Sequence, residues 1–185
     1  MDCAKGTKED TAVLLTLHFP AFHMQLVYVL KKQTAPCVVD TLDAIETSLG
    51  KELFTACFPV ILTDNGHEFT DMKGMECSVF GGKRTRVFFC EANRSDQKAE
   101  CETNHKLIRR VIPKRTSLQH LVREDTVLLS NHLNSYIRES LFGKSPFDTA
   151  MAVMPKDFFL LLGLERIPSE DVNLTPELLK QADLS

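Results

Sequence analysis

The chain has no uninterrupted apolar stretch near the roughly 20 residues that a membrane-spanning helix needs. Its longest greasy run, Phe158 to Leu164, is far too short, so no membrane partner is expected. None of its six cysteines, Cys3, Cys37, Cys57, Cys77, Cys90 and Cys101, forms a CxxC pair, and no signal peptide precedes them. Reduced thiols in a cytoplasm fit that pattern, whereas structural zinc wants paired ligands at short spacing. A surplus of positive charge is lacking too: 22 Lys and Arg against 25 Asp and Glu leave a net −3, with no global pull toward polyanions. There is no internal repeat and no low-complexity tract. Gly81-Gly82-Lys83 lacks the strand, loop and helix setting of a nucleotide cradle, so no phosphate loop is read there.

What is present suffices for one full-sized core: 43% of the 185 residues are hydrophobic, and the length argues against two independent units. Residues 1–150 are taken as a catalytic-type core and 151–185 as a helical extension and tail. Val13 to Phe19 and Met24 to Leu30 are β-rich runs split by Pro20, the pattern of a hairpin, and their near-continuous hydrophobicity predicts cover on both faces. Thr34 as N-cap, Pro36 in the first turn, and Val38, Val39, Leu42, Ile45 and Leu49 at helical spacing predict a packing helix that Gly50 stops. Glu52 to Cys57 adds a turn before a buried strand that ends at Asp64. Residues 70–84 read as a short helix and a loop, and Arg86 to Cys90 as the next strand. Asp96 to Val111 is predicted helical and ended by Pro113, and Leu118 to Ile137 carries further helix broken near Arg123 to Thr126. The Phe158 to Leu162 stripe is core or an oligomer contact. From Leu164 onward a loosely held tail is expected, with a terminal helix at Thr175 to Leu179. The order of elements fits a mixed α/β sheet with helices on its faces.

Asp64 is the most chemically suggestive residue. It closes the run Phe58-Pro59-Val60-Ile61-Leu62-Thr63 and is followed at once by the turn-forming Asn65-Gly66. A strand ending on a carboxylate sets one acid at the exposed rim of a sheet, where a metal ion can reach it. Asp2 precedes the next hydrophobic strands and Glu102 lies on the later helix, so three separated acids could converge on one cation site. Lys83, Arg84 and Arg86, and then Lys98, Lys106, Arg109, Arg110, Lys114 and Arg115, flank two of these acids. An enzyme acting on a polyanion needs that contrast of an acidic centre and a cationic surround. The helix face of Glu102, His105 or Lys106, and Arg109 is polar at i, i+3, i+4 and i+7 spacing. Each residue also has a plainer reading. Asp64 is a turn cap, Glu102 a solvated partner of Lys98, Lys106 or Arg109, Asp2 terminal surface, and His105 an ordinary polar helix residue.

Asp2, the run Val13-Leu14-Leu15-Thr16-Leu17, the segment Phe58 to Phe69, and Asn104-His105-Lys106-Leu107-Ile108-Arg109-Arg110 together resemble the catalytic core of insertion-sequence-30 family transposases. Gln97-Lys98, Pro113-Lys114, Asn134-Ser135-Tyr136 and Gly143-Lys144-Ser145-Pro146 follow in the family's order, so the resemblance covers about residues 1–150. It implies a DDE integrase core of ribonuclease-H-like fold: a mixed five-stranded sheet flanked by helices, here with a truncated first strand. It implies DNA transposition by metal-dependent cleavage and strand transfer, with Asp2, Asp64 and Glu102 as catalytic and metal-binding residues for two Mg²⁺ or Mn²⁺ ions. Asn65, Lys98, His105, Lys106, Arg109, Arg110 and Lys114 would contact DNA. Transposon ends and target DNA, a second copy of the chain, and a bacterial, nucleoid-associated cytoplasmic setting are the implied partners and location. Members normally carry a helix-turn-helix region before the core, absent here, and Asp2 has only Met1 before it. The alternative is therefore a non-catalytic transposase remnant that keeps the fold and DNA or subunit contacts.

Overall fold

Two strongly apolar runs organise the molecule. The computed structural model describes residues 1–90 and 99–180, and for residues 99–104 and 180 the backbone alone. Strands β1 (Asp2–Lys5), β2 (Val13–Phe19) and β3 (Met24–Leu30) form an antiparallel sheet in that order. Thr16 is opposite Asp2 on one side and Val27 on the other. The β2–β3 connection is a 3₁₀ turn over Pro20–Phe22, closed by His23 in the left-handed conformation at φ 54°. Strands β4 (Val60–Thr63) and β5 (Arg86–Phe89) form a separate parallel pair. The two sheets touch at the first residue. The Met1 amino group donates to the Leu62 carbonyl at 2.6 Å, and the Thr63 hydroxyl donates to the Met1 carbonyl at 3.4 Å.

The mixed α/β class is as expected. Among the described residues the strands form one sheet of three and a separate pair, linked through Met1 just ahead of β1, where a single five-stranded sheet was expected. β4 is also less buried than its apolar spelling implies: Ile61 and Thr63 face inward, while Val60 and Leu62 face outward.

Helices cover both faces of the first sheet, as the continuous hydrophobicity of β2 and β3 predicts. Alternate residues of these strands sort into two cores, as the period of two requires. Leu15, Leu17, Leu26 and Tyr28 join Val38, Leu42 and Ile45 of α1 (Ala35–Leu49), Phe54 of α2 (Lys51–Cys57), Met75 of α3 (Met72–Glu76), Phe147 of α6 (Pro146–Met151), and Phe158 and Phe159 of α7 (Lys156–Leu162). On the other face Leu14 and Val27 join Leu107, Ile108 and Val111 of α4 (Ala99–Val111), Leu129 and Leu133 of α5 (Arg123–Ser135), and Leu178 of α8 (Glu177–Lys180). Each fully buried leucine contributes about 1.5–3 kcal/mol of transfer free energy. Among the described residues no helix is long and apolar enough to cross a membrane.

β3 lies at the margin of its sheet, and α5 supplies what a further strand would have supplied. Asn134 Oδ1 accepts the Gln25 amide at 2.8 Å and its Nδ2 donates to the Gln25 carbonyl at 2.7 Å. Ser130 Oγ accepts the Val27 amide at 3.0 Å, and Arg123 donates to the Val27 carbonyl at 3.3 Å. The main-chain groups of Gln25 and Val27, which would otherwise template another chain, are thus taken up by side chains.

Three sequence expectations are revised. Residues 117–122 are not helical, and α5 begins at Arg123, where the Asp125 carboxylate accepts the Val122 amide at 2.9 Å. Leu118 and Leu121 are buried from a loop, which imitates helical spacing. The region after Leu164 is held rather than loose. The amides of Glu165, Ile167 and Asn173 donate to Asn131, Ser135 and His132 of α5, and Leu164 and Leu178 are buried. Arg84 is no surface cation. It is fully buried, donating to Glu46 at 3.1 Å, to Asp43, and to the carbonyls of Met75 (2.8 Å) and Gly74 (3.1 Å), with its guanidinium over the Phe54 ring. The buried Glu46 carboxylate also accepts the Ser78 hydroxyl and the Val79 amide. This network fixes the 72–85 segment to α1 and so sets β5 beside β4.

Candidate active site

Asp64 stands where β4 gives way to a turn, and its Oδ1 accepts the Gly66 amide at 3.1 Å. The turn-capping role is therefore real, and it also fixes the carboxylate. Gly66 has an ordinary φ of −59°, so conformation does not demand glycine there. Space does. A Cβ on Gly66 would lie 2.7 Å from Glu68 Oε2 and 3.0 Å from Asp64 Oδ1. The two carboxylates lean over the glycine from either side. Phe69, fully buried, anchors the 3₁₀ turn His67–Phe69 in the core and draws Glu68 in with it. Glu68 is 5% exposed; Gln33 Nε2 donates to it at 2.7 Å and His67 Nδ1 lies 3.4 Å from it.

Asp2 reaches the same place from β1. Its Oδ1 accepts the Cys3 amide at 2.8 Å, and its carbonyl accepts the Thr16 hydroxyl at 3.1 Å. Cys3, the next residue, carries a free thiol. Burial first, then the charge and hydrogen bond of Glu68, then the charges of Asp2 and Asp64, push its thiol well above the ordinary range.

His105 of α4 overlooks Asp2, with Nδ1 4.0 Å from Asp2 Oδ2 and Nε2 3.3 Å from Thr16 Oγ1. Glu102 is in the first turn of α4, three residues before His105 and on the same helical face by spacing; its side chain lies outside the described residues. Among the described residues no three His, Cys, Asp or Glu side chains form a group able to hold a metal ion. The donor chemistry does fit one class of ion. Carboxylates at a strand end, with no thiolate to compete because Cys3 stays protonated, suit a hard cation such as Mg²⁺ or Mn²⁺.

The expected DNA contacts divide. Asn65 is exposed on the turn after Asp64, and Lys106, Arg110 and Lys114 are exposed on or just after α4. Arg109 has a structural partner as well: its Nη2 donates to the Lys5 carbonyl at 2.8 Å and clamps the end of β1 to α4. Lys98 lies outside the described residues. Glu68 and Cys3 were given no role from sequence. For Glu68 the available signal was its position two residues after Gly66 in a motif already singled out; Cys3 carried none. Compared with models of protein families and with curated protein sequences, the chain matches none.

Proposed function

We propose that the chain is the catalytic core of a DDE-type transposase of the insertion-sequence-30 kind, cleaving DNA and transferring strands by phosphoryl transfer. The observation that carries this reading is that β1 starts against the end of β4: Met1, next to Asp2, bonds to Leu62 and Thr63, next to Asp64. The helix bearing Glu102 supports it, since His105 on that helix lies over Asp2. The succession β3-β2-β1, with β1 touching β4 and β4 paired to β5, is compatible with a ribonuclease-H-like sheet.

In this proposal Asp2, Asp64 and Glu102 are the metal ligands. Divalent ions held by these carboxylates would supply Lewis acidity and an activated oxygen nucleophile for displacement at phosphorus. The protein's own contribution is positional. The Gly66 amide holds Asp64 at the strand end, the Met1 bonds hold Asp2 beside it, and Arg109 keeps β1 seated on α4. Asn65, Lys106, Arg110 and Lys114 are exposed, on the turn after Asp64 and along or just past α4, and would hold phosphates. His105 is a positioning residue for Asp2.

The test is a strand-transfer assay on transposon-end DNA with Mg²⁺ or Mn²⁺, comparing the chain with Asp64→Asn. Loss of product in the variant, with an unchanged melting profile, is expected. Equal product from both proteins would remove the assignment.

A further inference from the structure

We propose that the segment after Leu164 is a strap latched onto α5 by His132, and that protonation of this ring opens the latch. Three buried side chains of α5 take up main-chain amides of the strap. Asn131 Oδ1 accepts from Glu165 at 3.0 Å, Ser135 Oγ from Ile167 at 2.9 Å, and His132 Nδ1 from Asn173 at 3.0 Å. The two oxygens keep their lone pairs at any pH. Nδ1 accepts only while it carries no proton, so the closed latch requires a neutral ring protonated on Nε2. A charged ring would set N–H against N–H and leave the Asn173 amide without this acceptor, which costs more than the bond alone contributes.

The far part of the strap depends on that closure. Leu178 of α8 is buried with Leu107 and Ile108 of α4 and with Leu129 and Leu133 of α5, and Leu174 and Leu179 pack against the same core. A helix as short as α8 does not persist without such packing. Opening would therefore uncover the apolar side of α4, the helix that carries His105. The electrostatics set the direction. Burial holds His132 below its ordinary 6.5, and Asp171 in the strap partly offsets this. Among the described residues, the charges on the other elements packed nearby are Lys106, Arg109 and Arg110 of α4, Glu177 of α8, and Asp148 of α6 paired with Arg166; none figures in the shift. The latch is thus closed at neutral pH, and the stability it contributes is lost as pH falls below 6.5 through the lower value of the folded chain. None of the strap residues belongs to the acid site, so this inference stands or falls independently of the strand-transfer reading.

Hydrogen exchange of the full chain, read by mass spectrometry at about pH 7.5 and about pH 5 and corrected for intrinsic rates, tests it. Peptides within 168–179 should lose protection by about tenfold or more at the lower pH, and peptides of β2 and β3 by far less. His18 also titrates toward acid, but it acts on the fold as a whole, so a loss confined to the strap separates the two. His132→Asn replaces the ring nitrogen with an oxygen that does not titrate, and the acid loss should vanish. His132→Leu removes the acceptor, and the strap should be poorly protected at both pH values. Unchanged protection of β2 and β3 at neutral pH would verify that each variant folds. A parent strap indifferent to pH, an undiminished acid loss in His132→Asn, or a His132→Leu strap as protected as the parent's at neutral pH would each overturn the proposal.

Discussion

Two clusters of acids lie in this molecule, and they are held in opposite ways. Asp43 and Glu46 on α1 are neutralised by Arg84, whose buried guanidinium has protein partners for both terminal nitrogens and Nε. Asp64 and Glu68 close on Gly66 instead, where β4 ends, with Glu68 accepting from the Gln33 amide. The first cluster has its positive charge built in and serves the fold. The second lies where β4 ends beside the start of β1, and in the proposed function it serves chemistry rather than the fold.

Removing the built-in cation should cause the largest effect. Arg84→Ala leaves Glu46 buried and uncompensated, and chemical denaturation should register a loss of about 3–5 kcal/mol. A drop under about 1 kcal/mol would erase the contrast between the clusters.

Neutralising the second cluster should do the reverse. Asp64→Asn should lower strand transfer by about a hundredfold or more, while stability stays within about 1 kcal/mol, since the Asn side-chain oxygen can still accept the Gly66 amide. The same denaturation series and the DNA assay together read both outcomes.

A smaller effect concerns Cys3. Glu68→Gln removes a negative charge and the acceptor that favours the protonated thiol, so the pH midpoint for Cys3 alkylation should move downward. Alkylation indifferent to the variant would mean that Glu68 does not act on the thiol.

The smallest effect is a pH slope. Burial, followed by the charges of His23, the terminal amine, Arg138 and His105, depresses His18 to about 4 from its ordinary 6.5. Between those values the unfolded chain binds the proton and the folded one does not. Stability present above pH 6.5 is therefore lost as pH falls toward 4, by about 1 kcal/mol at pH 5 after allowance for partial exposure. Urea titrations of the parent and His18→Gln should show the slope shrinking in the variant.

The strands β2 and β3 and helix α1 were legible because their burial follows from local periodicity and punctuation: Pro20 between the strands, Gly50 after the helix. Asp64 was legible for the same reason, as a carboxylate at the end of an apolar run. Arg84 was not. Its burial depends on Asp43 and Glu46, far away in sequence, and nothing beside Arg84 distinguishes it from exposed Lys83 and Arg86. Leu118 and Leu121 misled because a loop can bury residues at helical intervals. The convergence of Asp2 with Asp64 rests on Met1 bonding to Leu62 and Thr63, a tertiary contact that pattern alone does not encode.

The side-chain seal on β3 has a consequence for how the protein is made. Gln25 and its stopper Asn134 are 109 positions apart. At a synthesis rate of about 5–20 residues per second, the ribosome delivers the stopper about 5–20 seconds after the hairpin has emerged. During that interval an apolar hairpin with one bare margin is a substrate for chaperones and for sticking to neighbouring nascent chains. Slowing translation between these two points should lower the soluble yield of a protein whose finished form is unaltered.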